Sequence, residues 1–270
     1  MSTVRETIVT SPQNAKAKRW ASLQHKKYRD RHGAFLAEGA HLVREALESG
    51  EKVEAIVYDD GRGWPAELDR GLAAAAGEIV RASEEVMAKC AATDSPPPVF
   101  AVVRKRPADP DALFRPGALV IVLDGLRDPG NVGTIIRSAD AAGADAVVVG
   151  RGSADPFSPK AVRATMGSLF HLPVLEGDLA QLLSEAKARG FRLIGSSPRA
   201  QRTCYECDWS GGIWLLLGNE SEGLSPQAAA LLDECVRIPM RGRAESLNAA
   251  MAATVLLFEA MRARISLNQH

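Results

Sequence analysis

Short apolar runs alternate with helix-like segments along most of the chain, and the runs are of two kinds. In the first hundred residues they are brief and mixed. Residues 34–37 and 53–58 read as strands with a helix at 40–47 between them; an Ala-rich segment, a short run at 78–80 and a Ser83-started helix to about Ala92 follow. Pro96-Pro97-Pro98 then precedes a strand at 99–103. Strand and helix alternation of this kind predicts a small α/β domain. Residues 105–117 hold three prolines and no sustained period, which marks a linker between a domain at 1–104 and one at 118–270.

The second kind of run begins at residues 118–124, Ala-Leu-Val-Ile-Val-Leu-Asp, continuously apolar as a strand buried on both faces should be. A turn at Asp128-Pro129-Gly130-Asn131 leads into a helix at 132–142. Strands follow at 146–149, 191–195, 213–217 and 236–238, with helices opened by Ser158-Pro159 and Ser225-Pro226. The reading is an α/β fold whose C-terminal sheet is mostly parallel with helices on both faces. The last helix, at about 246–264, puts Leu247, Ala250, Met251, Thr254, Val255, Phe258 and Met261 on one stripe and Leu256 and Leu257 on another. A surface helix needs only the first stripe, so the second is expected to be covered too, most simply by a second copy of the chain.

Composition changes the picture in one place. The 270 residues are 46% hydrophobic and 24% charged, with 33 basic against 33 acidic side chains, so no global charge points to a polyanionic partner. Within residues 1–32, however, Arg5, Lys16, Lys18, Arg19, Lys26, Lys27, Arg29 and Arg31 face only Glu6 and Asp30. Residues 11–31 open with Ser11-Pro12 and carry Trp20, Leu23 and Tyr28 among these cations, which predicts one basic surface helix suited to RNA phosphates and bases. No secretory h-region is present, and no apolar run reaches the roughly 18 to 20 residues that span a bilayer, so the expected location is cytoplasmic with no membrane partner. Cys204-Tyr205-Glu206-Cys207 has CxxC spacing but neither a second pair nor a nearby histidine, which predicts reduced thiols and no metal.

The chain has no phosphate-binding P-loop, no G-x-G-x-x-G opening a helix, no nucleophile elbow, no zincin motif and no kinase set. A dinucleotide oxidoreductase is therefore excluded. Its polar candidates fall in three clusters: Asn131 with Arg137; Asn219 with Glu220 and Glu222; and Ser246 with Asn248. Two of these follow strand ends, where ligands bind in open α/β sheets.

These clusters carry a resemblance. Asp128-Pro129-Gly130-Asn131-Val132-Gly133-Thr134-Ile135-Ile136-Arg137, then Leu217-Gly218-Asn219-Glu220-x-x-Gly223-Leu224, then Ile238-Pro239-Met240 through Glu245-Ser246-Leu247-Asn248 resemble, in order and spacing, the three motifs of the SpoU/TrmH-type RNA 2′-O-ribose methyltransferases of the SPOUT class. Residues 8–104, with Phe35-Leu36-Ala37-Glu38-Gly39, resemble the ribosomal-protein-like substrate-binding domain found ahead of that catalytic domain.

The resemblance implies a deep trefoil knot in the C-terminal domain, a homodimer formed through it, and S-adenosyl-L-methionine as cofactor. It places Gly218, Ile238 and Leu247 at the cofactor, with Met240 as a further wall, and Asn131, Arg137, Glu220, Ser246 and Asn248 at the catalytic centre. It implies a ribosomal RNA of the 23S type as substrate, for which the charge cluster read above offers Lys16, Lys18, Arg19, Lys26 and Lys27 as contacts. Transfer RNA is the alternative substrate, and a non-catalytic RNA-binding assembly factor the alternative function; Arg137, Glu220, Ser246 and Asn248 together speak against the latter.

The physics of single residues leaves some roles open. A guanidinium with a pKa above about 12 makes a poor base. Either a phosphate in a tight site lowers that barrier for Arg137, or Arg137 clamps the target phosphate and orients the hydroxyl. Asn131 can cap its helix or bind substrate, and of Ser246 and Asn248 one can cap the last helix while the other faces the site.

Overall fold

A computed structural model describes residues 6–93, 95–107 and 109–267, with the side chains of Ala112 and Leu267 left aside. Arg5 of the basic segment lies outside the described residues. The first elements are β1 (Glu6–Val9), α1 (Ala15–Ser22), α2 (Lys26–His32), β2 (Ala34–Glu38), α3 (Ala40–Glu48), β3 (Val53–Asp59), α4 (Arg70–Ala73), β4 (Ile79–Ala82), α5 (Glu84–Cys90) and β5 (Val99–Arg104). There follow β6 (Leu119–Asp124), α6 (Pro129–Ala141), β7 (Ala146–Gly150), α7 (Pro159–Thr165), β8 (Val174–Gly177), α8 (Leu179–Ala188) and β9 (Arg192–Ser196). The chain ends with β10 (Arg202–Thr203), β11 (Ile213–Gly218), α9 (Pro226–Leu231), β12 (Glu234–Arg237) and α10 (Ala249–Leu267).

The chain divides into two compact units. One takes the described residues up to Pro107 together with Phe157–His171; the other takes the rest. The first unit is built on a mixed five-stranded sheet in the order β1-β4-β3-β5-β2, with β5 antiparallel to both its neighbours. Trp20, Leu23, Leu36, Val57, Met87 and Phe100 pack one core against it, and the Trp20 and Phe100 rings meet edge to face at 5.9 Å. Segment 157–171 joins this unit: Arg163 of α7 donates to the buried Glu38 carboxylate at 2.9 Å, and Phe35 packs on Phe157 and Phe170.

The single basic helix expected over residues 11–31 is two helices. The Arg29 side chain is buried and donates to the carbonyls of Leu23 and Gln24 at 2.8 and 2.7 Å, taking up acceptors exposed where α1 ends. The Gln24 side chain in turn donates to Cys90 and Ala91 carbonyls at the end of α5. Trp20 and Leu23 are core residues here, 1% and 0% exposed, and offer nothing to a ligand.

The second unit is a seven-stranded sheet, parallel throughout, in the order β10-β12-β9-β11-β6-β7-β8. The central strands β6, β11 and β7 are buried along nearly their whole length, which is why they read as unbroken apolar runs. Parallel pairing brings all the carboxyl ends to one edge. There Gly218, ending β11, is registered against Asp124, ending β6.

Helix α10 starts at Ala249, three residues later than expected, because Asn248 caps it: its Oδ1 accepts from the amides of Ala250 at 2.9 Å and Met251 at 3.4 Å. The stripe reading is corrected in part, since Ala250 of the first stripe is buried and Thr254 faces α6. Leu256 and Leu257 are fully buried within the chain itself, whereas Met251, Phe258 and Ile265 are 63%, 41% and 50% exposed. The covering comes from β11 and α6, with Thr254 and Ser138 sharing a hydrogen bond of 2.7 Å, and the far end is tied by Arg264 to the carbonyls of Trp209, Gly117 and Gly211.

Candidate active site

Three strand-end segments of the second unit meet at Asn131. Asp128 caps α6, its carboxylate accepting the Asn131 amide at 3.0 Å with Pro129 in the first turn. The cap expected of Asn131 is thus made by Asp128, and the Asn131 side chain is left for other bonds. Its Nδ2 donates to Glu220 Oε1 at 2.8 Å, and its Oδ1 accepts from Asn248 Nδ2 at 3.1 Å. One amide therefore holds a carboxylate from the loop after β11 and the capping residue of α10.

Glu220 stands in a loop that Asn219 organises. Asn219 Oδ1 accepts from the amides of Ser221 and Glu222, its Nδ2 donates to Gly125 O at 2.8 Å, and its backbone pairs with Gly223 in both directions. The chain turns back so tightly that a Cβ on Gly218 would lie 2.2 Å from the Gly223 carbonyl carbon; Gly223 itself has φ +74°. Both positions require glycine. The space beside Gly218 is thus filled by the returning chain.

A cleft opens one strand away, at the ends of β9 and β12. Its walls are Ser196, Ser197 and Pro198 on one side and Ile238, Met240, Glu245, Ser246 and Leu247 on the other, with Ala252 of α10. About 380 Å³ of space, continuous with open solvent, lies within it. Three of the four residues expected at a cofactor, Ile238, Met240 and Leu247, share this cleft with Ser246; Gly218 does not line it. Apolar walls and serine hydroxyls suit a flat heteroaromatic base and a sugar, and the Glu245 carboxylate suits a cationic centre.

Sequence reading missed Ser196, Ser197 and Pro198. Their signal was present: Gly195-Ser196-Ser197-Pro198 ends an apolar strand in small and polar residues, as Leu217-Gly218-Asn219 does. The partner of that strand was the missing information, since β12 pairs with β9.

Arg137 stands apart from Asn131. Six residues along α6 correspond to about 9 Å of rise and 240° of rotation, and Arg137 is exposed, with no side-chain hydrogen bond or ion pair among the described residues. Its charge is free to meet an anion. The pairing of Arg127 with Glu222 at 3.6 Å is solvent-exposed and contributes little.

In the first unit, the five basic residues expected at RNA differ in state. Lys16 is paired with Glu78, Arg19 with Glu54 at 2.6 Å, and Lys26 lies 3.6 Å from Asp30. Lys27 is exposed beside the Tyr28 ring at 5.9 Å, and Lys18 is exposed. Cys204 and Cys207 are buried free thiols; burial, reinforced by the Glu234 carboxylate, pushes Cys207 up to about 12. Among the described residues no group of three or more His, Cys, Asp or Glu is placed to hold a metal ion.

Residues 118–258 match the SpoU rRNA Methylase family, and residues 14–101 match the MRM3-like substrate binding domain. The chain belongs to the SpoU rRNA methylase family. It is 36% identical over 250 residues to the 23S rRNA (guanosine(2553)-2′-O)-methyltransferase RlmP of Bacillus subtilis, covering 93% of this chain and 97% of that protein. It is 38% identical over 264 residues to the 23S rRNA (uridine(2479)-2′-O)-methyltransferase of Streptomyces viridochromogenes, covering 94% and 91%. Among solved structures, the SpoU methyltransferase AviRb of Streptomyces viridochromogenes in complex with AdoMet matches with a TM-score of 0.87 at 35% identity, covering 94% of this chain and 99% of that one. The AdoMet-bound rRNA methyltransferase of Sinorhizobium meliloti matches with a TM-score of 0.84 at 35% identity, covering 95% and 98%.

Proposed function

We propose that this chain is an S-adenosyl-L-methionine-dependent methyltransferase acting on a ribose 2′-hydroxyl of 23S-type ribosomal RNA. The observation that carries the reading is the convergence on Asn131 of Glu220 and Asn248, next along the sheet edge from a cleft walled by Ile238, Met240, Ser246 and Leu247. Relatives of like length, 36% and 38% identical, methylate 23S rRNA at ribose 2′-oxygens by their names, and two matching structures hold AdoMet.

When bound, the cofactor supplies a methyl group on a cationic sulfonium. Ile238, Met240 and Leu247 would hold its apolar parts and Ser246 its polar ones, with Gly218 contributing through the tight loop that it permits. Asn131, itself held by Asn248, fixes Glu220, whose carboxylate would face the developing charge. Arg137 would meet the phosphate beside the target ribose and orient the hydroxyl; most of the rate enhancement is positioning. Lys16, Lys18, Arg19, Lys26 and Lys27 contribute charge to RNA binding, Lys18 and Lys27 most of all.

Two further properties belong to the same reading. Strand β12 inserts between β9 and β10, which are consecutive in the chain, a topology that supports passage of the C-terminal segment through an earlier loop as a trefoil knot. The exposed Met251, Phe258 and Ile265 stripe on α10 supports a homodimer. The enzyme works in the cytoplasm, on ribosomal RNA.

The test is methyl transfer from labelled S-adenosyl-L-methionine to total RNA lacking the modification, followed by alkaline hydrolysis. Label in 23S rRNA within alkali-resistant dinucleotides is expected. Label confined to transfer RNA, or on a base, would overturn the reading.

A further inference from the structure

The cleft is framed by two loops, and each carries arginine directly beside the residues that line it. Arg199 follows Pro198 in the loop after β9; Arg241 follows Met240 in the loop after β12, and Arg243 lies two residues before Glu245. All three are exposed and make no side-chain hydrogen bond or ion pair among the described residues. This is unlike most arginines of the same unit: Arg189 pairs with Glu185, Arg192 with Asp208, Arg202 with Glu234, Arg262 with Glu259, and Arg264 binds three carbonyls. In a chain whose formal charges cancel, three exposed, unengaged arginines thus stand within two residues of cleft-lining positions along the chain, and the lining itself brings only the Glu245 carboxylate.

We propose that Arg199, Arg241 and Arg243 form a phosphate-binding rim that holds the RNA backbone across the mouth of the cleft. The proposal rests on the RNA methyltransferase reading and adds to it a contact made by the second unit itself, separate from the basic residues of α1 and α2. Phosphodiester oxygens are the ligand that this chemistry fits. A guanidinium keeps its charge at any physiological pH, is weakly hydrated, and donates two parallel hydrogen bonds to a phosphate. Loops on both sides of the cleft contribute, so a strand lying over it meets positive charge on either flank. The rim selects no base, since phosphate contacts position without reading sequence.

The experiment compares the full-length chain with the triple variants Arg199→Ala/Arg241→Ala/Arg243→Ala and Arg199→Lys/Arg241→Lys/Arg243→Lys. Affinity for an unmodified 23S rRNA fragment is measured across a salt series, S-adenosyl-L-methionine affinity by calorimetry, and methyl transfer at steady state. The alanine variant is expected to raise KM for RNA at least tenfold, with cofactor affinity and kcat within twofold of the parent. The dependence of log K on log salt should flatten by about 2, from the loss of three contacts worth about 0.7 each on a single strand. The lysine variant should recover the salt slope and only part of the KM. Unchanged slope and KM in the alanine variant would overturn the rim, and so would loss of cofactor affinity, which would make these loops part of the cofactor site. Absence of methyl transfer in the parent would sink the enzymatic reading instead, and the salt series would still decide whether the three arginines meet RNA.

Discussion

The side-chain amide of Asn131 donates to the Glu220 carboxylate at 2.8 Å, joining the start of α6 to the loop after β11. Because Asn248 donates to the other end of that amide, rotation of Asn131 would break two bonds at once. Asn131→Ala should therefore free both Glu220 and the start of α10 while leaving the Asp128 cap in place. Single-turnover methyl transfer should fall about 10²-fold, the cost of misplacing a reacting group by about 1 Å. Unfolding free energy should change by less than about 0.5 kcal/mol, as for other surface changes. Asn131→Asp should be no better, since it sets a second carboxylate against Glu220. A wild-type rate in either variant would remove Asn131 from the mechanism.

Arg137 offers a cleaner separation of chemistry from stability. Its side chain is exposed and bonds to no described residue, so Arg137→Ala should leave the thermal midpoint and S-adenosyl-L-methionine affinity unchanged while methyl transfer is lost. Arg137→Lys keeps the charge but not the two-pronged geometry and should give an intermediate rate. Calorimetry and methyl transfer on the same preparations decide it: full activity in the alanine variant would exclude both roles considered for this residue.

Much of this arrangement was legible in the residues, for physical reasons that also mark where legibility ended. Strands β6 and β11 announce themselves because burial on both faces demands unbroken apolar runs. The Asp128 cap was misassigned: the sequence reading begins this helix at Val132 and offers the cap to Asn131, whereas the helix begins at Pro129, a residue that belongs in a first turn and so points to Asp128. The break between α1 and α2 was not legible, because it depends on Arg29 reaching back to the carbonyls of Leu23 and Gln24 from the next helix. Nor were Ser196 and Ser197, which reach the cleft through the pairing of β9 with β12, a contact between segments forty residues apart that no local period encodes. In α10 the apolar residues run nearly all round, so the pattern cannot tell which stripe the chain covers itself.

RNA binding should discriminate among the cations of α1 and α2. Lys16 and Arg19 already face Glu78 and Glu54, so a phosphate must compete for them; Lys18 and Lys27 are exposed. Replacing Lys18 and Lys27 with alanine should flatten the salt dependence of RNA affinity by about 1 to 2 in log–log slope. Replacing Lys16 and Arg19 should change it less and cost fold stability through the orphaned glutamates. Filter binding between 50 and 300 mM salt gives the slopes. Equal effects of the two pairs would mean that the ion pairs open on RNA.

Asp233 ties stability of the cleft's framework to pH. Burial alone would raise its carboxyl pKa, but the Leu193 amide at 2.9 Å and the Lys187 ammonium at 2.9 Å together hold it below the ordinary 3.8. A lowered folded-state value means that the unfolded chain binds the proton more readily, so the stabilisation is present above about pH 4 and lost as pH falls through the folded value. Asp233→Asn should cost about 0.5 kcal/mol at pH 7, as befits a partly exposed pair, and less at pH 2.5. Urea melts at the two pH values measure the difference. An equal cost at both would assign the effect to packing.

The stripe on α10 predicts how the chain associates. Met251, Phe258 and Ile265 are seven residues apart, lie on one face, and remain exposed although the neighbouring Leu256 and Leu257 are fully buried. Phe258→Glu should leave the monomer's core intact but place a charge where a second copy would pack, which costs far more in an apolar interface than in water. The parent chain should sediment as a dimer at micromolar concentration and the variant as a monomer with unchanged far-ultraviolet dichroism. Leu257→Ala should behave in the opposite way, costing about 2 to 5 kcal/mol of unfolding free energy by opening a cavity inside the chain while the remaining folded protein still dimerises. A monomeric parent, or a dimer that survives Phe258→Glu, would show that this face of α10 serves no second copy.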